Sequence, residues 1–256
     1  MTAAPVLDVR GLSKSFGGVR AVDDVHFAVA SGELLALIGP NGAGKSTCFN
    51  MLNGQLRPDA GVVTLNGRSI VGLPPRRVWR LGVGRTFQIT ATFVSMTVRE
   101  NVQMALLSHH RRIHSVFARA GDLHVAEADA LLERVAMRDQ AERVCGVLAY
   151  GDLKRVELAV ALANDPRLLL MDEPTAGMAP KERIQLMELA ARLARERGIA
   201  VLFTEHDMDV VFGHADRVIV LDRGKLIAQG TPAEVRADPQ VQAVYLGTGT
   251  MYGHEH

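Results

Sequence analysis

The chain has 256 residues, of which 48% are hydrophobic, and its formal net charge is +1. A chain of this length can bury a sizeable core in one or two domains, and its near-neutral charge implies no general attraction to nucleic acid or membranes. Its two cysteines are too few for a disulfide framework. No apolar run approaches the ~18 residues of a membrane helix, and the N-terminus lacks the apolar segment of a secretory signal. We therefore expect a cytoplasmic protein.

Strands and a glycine-rich loop are predicted at the start of the chain. Two strands, residues 6–9 and 21–29, are joined by a turn at Gly17-Gly18 and belong to an N-terminal antiparallel β subdomain. The apolar run 34–38 is a third strand, and a helix follows over residues 45–52. The loop between them fits the pattern G-x-x-x-x-G-K-[ST], and its residues are Gly39, Pro40, Asn41, Gly42, Ala43, Gly44, Lys45, Ser46 and Thr47.

This loop has the composition of a nucleotide site. Glycines let the backbone close around an anion, and the N-terminus of the following helix attracts negative charge. We expect Lys45 to reach the β- and γ-phosphates and Ser46 to bind Mg²⁺. The order of strand, loop and helix is the context that the motif needs.

A helical region follows. Residues 62–65 predict a strand that ends in an Asn66-Gly67 turn, Pro74-Pro75 opens a helix through Trp79, and residues 83–87 predict another strand. Helical periodicity then covers residues 97–108 and 122–137, with Asp122 as the N-cap of the second helix. We therefore predict a helical subdomain, residues 89–163, inserted into an α/β core.

The last third alternates strands and helices. Strands are predicted at 168–171, 200–204 and 218–221, helices at 180–197 and 207–215, and an edge strand at 225–229, with short helices at Pro232 and Gln240. This alternation is typical of a mainly parallel sheet covered by helices. We predict one domain over residues 1–256, an α/β phosphate-loop NTPase core in which residues 223–256 form a C-terminal extension.

Two carboxylates end a buried strand. Asp172 and Glu173 follow the apolar run 168–171, and ligands of α/β sheets lie at the carboxyl ends of strands. Asp172 can hold Mg²⁺ near Ser46, and Glu173 can orient or deprotonate a water molecule. His206 follows another strand end that the sheet brings to the same edge.

Together these motifs resemble those of ATP-binding-cassette ATPases over residues 6–247. The resemblance implies that ATP is the nucleotide, that Phe16 stacks on adenine, and that Thr47 joins Lys45 and Ser46 in binding phosphates and Mg²⁺. It further implies that Gln88 links the metal and the water to the helical subdomain. Glu173 is then the catalytic base, and His206 contacts the γ-phosphate.

The family's signature, usually Leu-Ser-Gly-Gly-Gln, is altered here. The matching residues are Leu148, Ala149, Tyr150, Gly151 and Asp152. In the family this segment caps the ATP that a partner subunit holds. Ala149 offers no hydroxyl, and Asp152 places a carboxylate where glutamine is usual, so Gly151 and backbone N–H groups are left to bind the phosphate.

Within the family, the sequences Leu-Ala-Tyr-Gly, Gly-Arg-Thr-Phe-Gln and Thr-Ala-Gly-Met-Ala-Pro are most similar to the ATPase subunits of branched-chain amino acid importers. This implies a second ATPase subunit, identical or paralogous, a membrane permease that places the chain at the inner face of the membrane, and a solute-binding protein. Phe93, Val94 and Met96 either contact the permease or belong to the core of the helical region. The alternatives are a non-transport cassette of DNA repair or translation, and a weakly hydrolytic regulatory subunit.

Two smaller features keep two interpretations each. Cys48, in the first turn after the phosphate loop, is either a reactive thiol whose alkylation blocks ATP binding or a buried inert one. The histidines of residues 109–114 and of the tail 253–256 either bind a metal or lie in solvated loops.

Overall fold

The computed structural model describes residues 4–86, 93–110 and 123–246. The strands of these ranges are β1 (Leu7–Phe16), β2 (Val19–Val29), β3 (Leu34–Ile38), β4 (Ala60–Leu65), β5 (Arg68–Ser69), β6 (Val83–Thr86), β7 (Leu168–Asp172), β8 (Ala200–Thr204), β9 (Arg217–Asp222) and β10 (Lys225–Gly230). Their α-helices are α1 (Lys45–Leu52), α2 (Pro75–Arg80), α3 (Val98–His109), α4 (Val125–Arg134), α5 (Tyr150–Leu162), α6 (Pro180–Arg197), α7 (Met208–His214), α8 (Pro232–Ala237) and α9 (Pro239–Leu246).

The strands form two sheets. An antiparallel sheet has the order β2-β1-β4-β5, and a six-stranded sheet has the order β10-β9-β3-β8-β7-β6. In the second sheet all pairs are parallel except β10 with β9, so β10 is the predicted edge strand. The predicted fold class, a mainly parallel α/β core with an antiparallel β sheet and helices, is confirmed.

Helices cover one face of the central sheet, and the antiparallel sheet with α1 covers the other. Within β3, Leu34, Ala36 and Ile38 pack in the core cluster that contains the helices, whereas Leu35 and Leu37 pack in the cluster that contains the antiparallel sheet and α1. Successive side chains of a strand point to opposite faces. The unbroken apolar run of β3 therefore reflects burial on both faces.

Two predicted elements differ from the observed ones by three residues or more at one or both ends. The first strand was predicted over residues 6–9, but in the structure it continues to Phe16. Register shifts after Val9 and after Leu12 interrupt the alternation of side chains along the strand. The sequence pattern therefore did not reveal the second half of this strand. Helix α4 begins and ends inside the predicted range 122–137. Its N-cap position is His124 rather than Asp122, which lies outside the described residues.

Helices α3, α4 and α5 pack against one another in the larger core cluster. Helix α3 begins with a capping box, in which Thr97 accepts from the backbone of Glu100 and the Glu100 side chain accepts from the backbone of Thr97. The limits of a helical subdomain at 89–163 remain a prediction. Among the described residues, none of the helices combines the length and the apolar character needed to cross a membrane.

Candidate active site at the edge of the central sheet

The glycine-rich loop joins β3 to α1 and is packed tightly on its inner side. A Cβ atom on Gly39 would lie 2.2 Å from the carbonyl oxygen of Leu221, and one on Gly44 would lie 2.3 Å from that of Ala21. Both residues also have positive φ angles, 151° and 108°, so a side chain at either position would clash and would strain the backbone. Gly42 has open space where a Cβ would be.

The predicted loop residues differ in their exposure. Exposed are Asn41, Gly42 and Ser46, half-buried are Pro40, Gly44 and Thr47, and buried are Gly39, Ala43 and Lys45.

Lys45 is held inside this loop. Its Nζ atom donates to the carbonyl oxygens of Gly39, at 2.6 Å, and Pro40, at 3.1 Å. Burial lowers the pKa of Lys45, and the charges of Glu173 and Asp172 oppose this effect. The ammonium group is therefore poised between backbone oxygens and two carboxylates, in a position where phosphate oxygens would be better partners.

Asp172 ends β7 and is positioned by two residues from neighbouring strands. The hydroxyl of Thr204, at the end of β8, donates to its carboxylate at 2.8 Å, and the guanidinium of Arg85 on β6 lies 3.2 Å from its other oxygen. Arg85 also donates to Asn50 at 3.0 Å and Gln55 at 3.1 Å. Sequence reasoning assigned no role to Arg85 or Thr204, because neither residue type signals this function on its own.

Glu173 and His206 meet at this edge of the sheet. Glu173 Oε1 lies 2.9 Å from Nε2 of His206, which bears out the prediction that the sheet brings the two residues together. Glu173 has a left-handed φ of 49°. Its N–H donates both to the carbonyl oxygen and to the hydroxyl of Thr204, each at 3.1 Å, so these bonds hold a conformation that glutamate rarely adopts.

The next residues along the chain are fixed by a buried carboxylate. Glu205 Oε1 accepts hydrogen bonds from the N–H and the hydroxyl of Thr175, at 2.8 and 2.7 Å. Burial raises the pKa of Glu205, and these hydrogen bonds oppose the effect. The pair ties the loop after Glu173 to the segment that carries His206.

The side chains at this edge fit a nucleoside triphosphate with a magnesium ion. The exposed hydroxyl of Ser46 and the carboxylate of Asp172 are hard oxygen ligands of the kind that Mg²⁺ prefers. Lys45 and the N-terminus of α1 supply positive charge for phosphate oxygens. The structure thus assembles the phosphate loop, Asp172, Glu173 and His206 in one place.

The signature segment forms the start of α5. Ala149 is the N-cap, with φ and ψ of −64° and 153°, and no side chain caps the helix. Gly151 faces α6, since a Cβ there would lie 3.0 Å from Glu182 Oε1. The negative charge of Asp152, in the first turn of α5, interacts favourably with the helix dipole and stabilises the helix. The same charge would repel a phosphate bound at this helix end.

Comparison with known proteins decides the family. The sequence profile of the ABC transporter family matches residues 22–176. The chain is also 41% identical over 253 residues to LivG of Salmonella typhimurium, a high-affinity branched-chain amino acid transport ATP-binding protein, with 95% of this chain and 98% of LivG covered. The chain belongs to the ABC transporter family.

Further comparisons agree with this membership. Identity is 40% over 253 residues to BraF of Pseudomonas aeruginosa, also a branched-chain amino acid transport ATP-binding protein, with 95% of this chain and 98% of BraF covered. A profile for the branched-chain amino acid ATP-binding cassette transporter matches residues 225–250. The solved ADP conformation of MJ1267, an ATP-binding cassette of an ABC transporter, has a TM-score of 0.86 at 31% identity and covers 96% of this chain and 100% of its own.

The predicted resemblance is therefore confirmed, and this ABC chain is an ATPase that binds ATP. Phe16, the predicted adenine contact, is half exposed at the end of β1, with Lys14 Nζ 5.6 Å from its ring centroid. Gln88 lies outside the described residues.

The structure also bears on the interpretations left open for Cys48 and for the apolar residues Phe93, Val94 and Met96. Cys48 is fully buried, and burial raises the pKa of its thiol to about 12, so the hypothesis of a reactive cysteine is wrong. Helix α1 turns this side chain into the core. Phe93 and Val94 are 57% and 61% exposed, which excludes a core role for both, and Met96 is half-buried.

Proposed function

We propose that this chain is the ATP-hydrolysing subunit of an ABC importer that takes up branched-chain amino acids or a related small polar solute. The observation that carries the hydrolytic role is the contact between Glu173 and His206 beside the phosphate loop. The solute class is supported by the similarity to LivG and BraF and by the match of residues 225–250.

Binding of ATP is assigned to two parts of the chain. Phe16 stacks on the adenine, and the loop 39–47 surrounds the phosphates, with Lys45 on the β- and γ-phosphates. Ser46, Asp172 and Gln88 would hold Mg²⁺, which would neutralise charge on the phosphate oxygens. Arg85 and Thr204 keep the Asp172 carboxylate in place through the bonds described above.

Hydrolysis is assigned to Glu173 and His206. Glu173 accepts a proton from the attacking water, a role that needs a carboxylate at a fixed position, and Thr204 fixes its backbone. His206 contacts the γ-phosphate, and its imidazole is 48% exposed to solvent. Lys45 stabilises the charge that develops on the phosphate.

The site is completed by a second ATPase subunit, identical or paralogous. Residues 148–152 of that subunit cap the ATP, with Gly151 and the backbone N–H groups at the start of α5 in place of a serine hydroxyl. The exposed Phe93 and Val94, with Met96, are the proposed contact with a membrane permease. The chain then lies at the inner face of the membrane, and the permease receives its solute from a binding protein.

A weakly hydrolytic regulatory subunit is the second candidate. The observation that favours it is the start of α5, where Ala149 provides no cap and Asp152 carries a negative charge. Measuring ATP hydrolysis with and without the co-purified permease separates the two. A motor subunit hydrolyses ATP in the complex, whereas a regulatory subunit does not.

The hydrolytic role is tested with Glu173→Gln. The amide keeps the size of the side chain but cannot take a proton from water, so we expect ATP binding to be retained while turnover falls by about 10²–10⁴-fold. Equilibrium binding of ATP and release of phosphate are measured on the same preparation. Glu196→Gln, at an exposed position of α6, is the matched control, and normal turnover in Glu173→Gln would remove Glu173 from its role.

A further inference from the structure

Two histidines and a glutamate converge where α3 ends and α4 begins. His110 is the C-cap of α3, His124 is the N-cap of α4, and Glu127 lies in the first turn of α4. His110 Nε2 is 3.2 Å from both carboxylate oxygens of Glu127, and His124 Nδ1 is 3.0 Å from one of them. One ligand atom from each residue lies within 4.8 Å of the other two.

These separations are close to those of a metal site. In a tetrahedral zinc site with bonds of about 2.0–2.1 Å, neighbouring ligand atoms are roughly 3.3 Å apart. The two nitrogen–oxygen separations already match this spacing. The two imidazoles must tilt toward each other, because their rings are now stacked, with centroids 4.5 Å apart and planes 6° from parallel.

Within the described residues, no hydrogen bond of the second ring nitrogen of His124 opposes this tilt. Its Nδ1 atom contacts Glu127, and its Nε2 atom has no hydrogen-bond partner in the part of the chain that the structure describes. The backbone at His124 is also unusual, because its φ of 58° is left-handed. Such a conformation in a residue other than glycine is costly and is found disproportionately at functional positions.

We propose that His110, His124 and Glu127 bind one Zn²⁺ ion, with water completing the coordination. Two imidazoles and one carboxylate form a ligand set that zinc uses in proteins. Mg²⁺ prefers oxygen ligands in octahedral geometry, so the magnesium that accompanies ATP does not compete for this site.

The bound ion would fasten two helices together. It joins the end of α3 to the start of α4. The neighbouring His109 packs edge-on against Trp79 of α2, with ring centroids 5.6 Å apart. Zinc would therefore act next to a contact between the helical region and α2.

The test is a titration of the full chain with ZnCl₂ in competition with a fluorescent chelator, in buffer with excess Mg²⁺. We expect one equivalent to bind to the unmodified chain with a Kd in the micromolar range or tighter. His124→Asn removes the imidazole but keeps a residue that tolerates left-handed φ; it should weaken binding at least ~10-fold, because loss even of a group that only supports a ligand costs 10–100-fold. His110→Gln and Glu127→Gln should each do the same.

The tail supplies the matched control, since His254 and His256 are also possible ligands. A double variant, His254→Gln with His256→Gln, should keep the one-equivalent binding. Co²⁺ substitution gives a second readout, since a tetrahedral site shows strong visible absorption that His124→Asn should abolish. Each variant is compared with the unmodified chain by thermal unfolding without metal, which should be unchanged.

Three outcomes would overturn the proposal. One is binding that is only millimolar, another is binding that survives in His124→Asn, His110→Gln and Glu127→Gln alike, and the third is binding that is lost in the tail variant. None of these readouts depends on ATP hydrolysis, so the proposal stands or falls separately from the proposed function.

Discussion

The two regions of the chain that face ATP in the proposed assembly, the edge of the central sheet and the start of α5, are built differently. The edge of the central sheet has charged side chains held by other side chains: Asp172 is fixed by Arg85 and Thr204, and Glu173 by His206. The start of α5 has Ala149 at its N-cap and offers a phosphate mainly backbone N–H groups.

This difference indicates which region contributes most of the affinity for ATP. Charge-assisted hydrogen bonds are roughly twice as strong as neutral ones, so the sheet edge should bind ATP without help. The signature segment should add less, and its contribution should depend on how firmly α5 is held. An ion pair inside that helix joins Lys154 to Glu157 at 3.1 Å, with both side chains 3–4% exposed.

The largest effect is expected from Lys154→Met, which tests whether this ion pair holds α5. The change leaves the Glu157 charge buried without Lys154, and breaking a buried pair in this way typically costs about 3–5 kcal/mol. The free energy of unfolding, from urea denaturation, should fall accordingly. The double variant Lys154→Met with Glu157→Leu should recover most of it, and a stable single variant would show that α5 does not depend on the pair.

Lys45→Ala tests whether the sheet edge carries the affinity. One hydrogen bond to a charged group is worth about 1.5–3 kcal/mol, so ATP affinity should fall by about 10–150-fold. Isothermal titration measures it, with the exposed Lys225→Ala as control. Unchanged affinity in Lys45→Ala would move the binding energy to another part of the chain.

Thr204→Val tests the support of the two carboxylates. Valine has the same shape but removes the hydroxyl that donates to Asp172 and accepts from the Glu173 N–H. We expect the free energy of unfolding to fall by about 1–3 kcal/mol and turnover to fall more than ATP affinity. Thr204→Ser should restore both, and a fully active Thr204→Val would make this residue dispensable.

The smallest effect is expected from Ala149→Ser. The backbone of Ala149 already has the extended geometry of an N-cap, so a hydroxyl there should raise the free energy of unfolding by about 0.5–2 kcal/mol. Ala149→Val, which adds no acceptor, should give no such gain. A loss of stability in Ala149→Ser would mean that the start of α5 is not built as a cap.

Much of the sheet edge could be predicted from the sequence. Strand β3 and helix α1 have the predicted limits, because a five-residue buried run and the phosphate-loop pattern are both local signals. The meeting of Glu173 and His206 followed from the rule that parallel strands end at one edge.

The residues that hold the carboxylates at that edge in place could not be predicted. Arg85 and Asp172 are 87 residues apart, and nothing local in either segment indicates that they pair. Helix α4 likewise begins after His124, whose φ is left-handed, rather than after the predicted N-cap Asp122. Pairings distant in sequence and strained single residues are set by the folded context rather than by local patterns.

The most direct test of the account is an equilibrium titration of Glu173→Gln with ATP, in the presence and absence of Mg²⁺. This variant reports binding without loss of ATP to hydrolysis. Saturable binding of one ATP per chain that is markedly tighter with Mg²⁺ is the predicted result. Binding that does not saturate, or that is indifferent to Mg²⁺, would contradict a nucleotide site built from Lys45, Ser46 and Asp172.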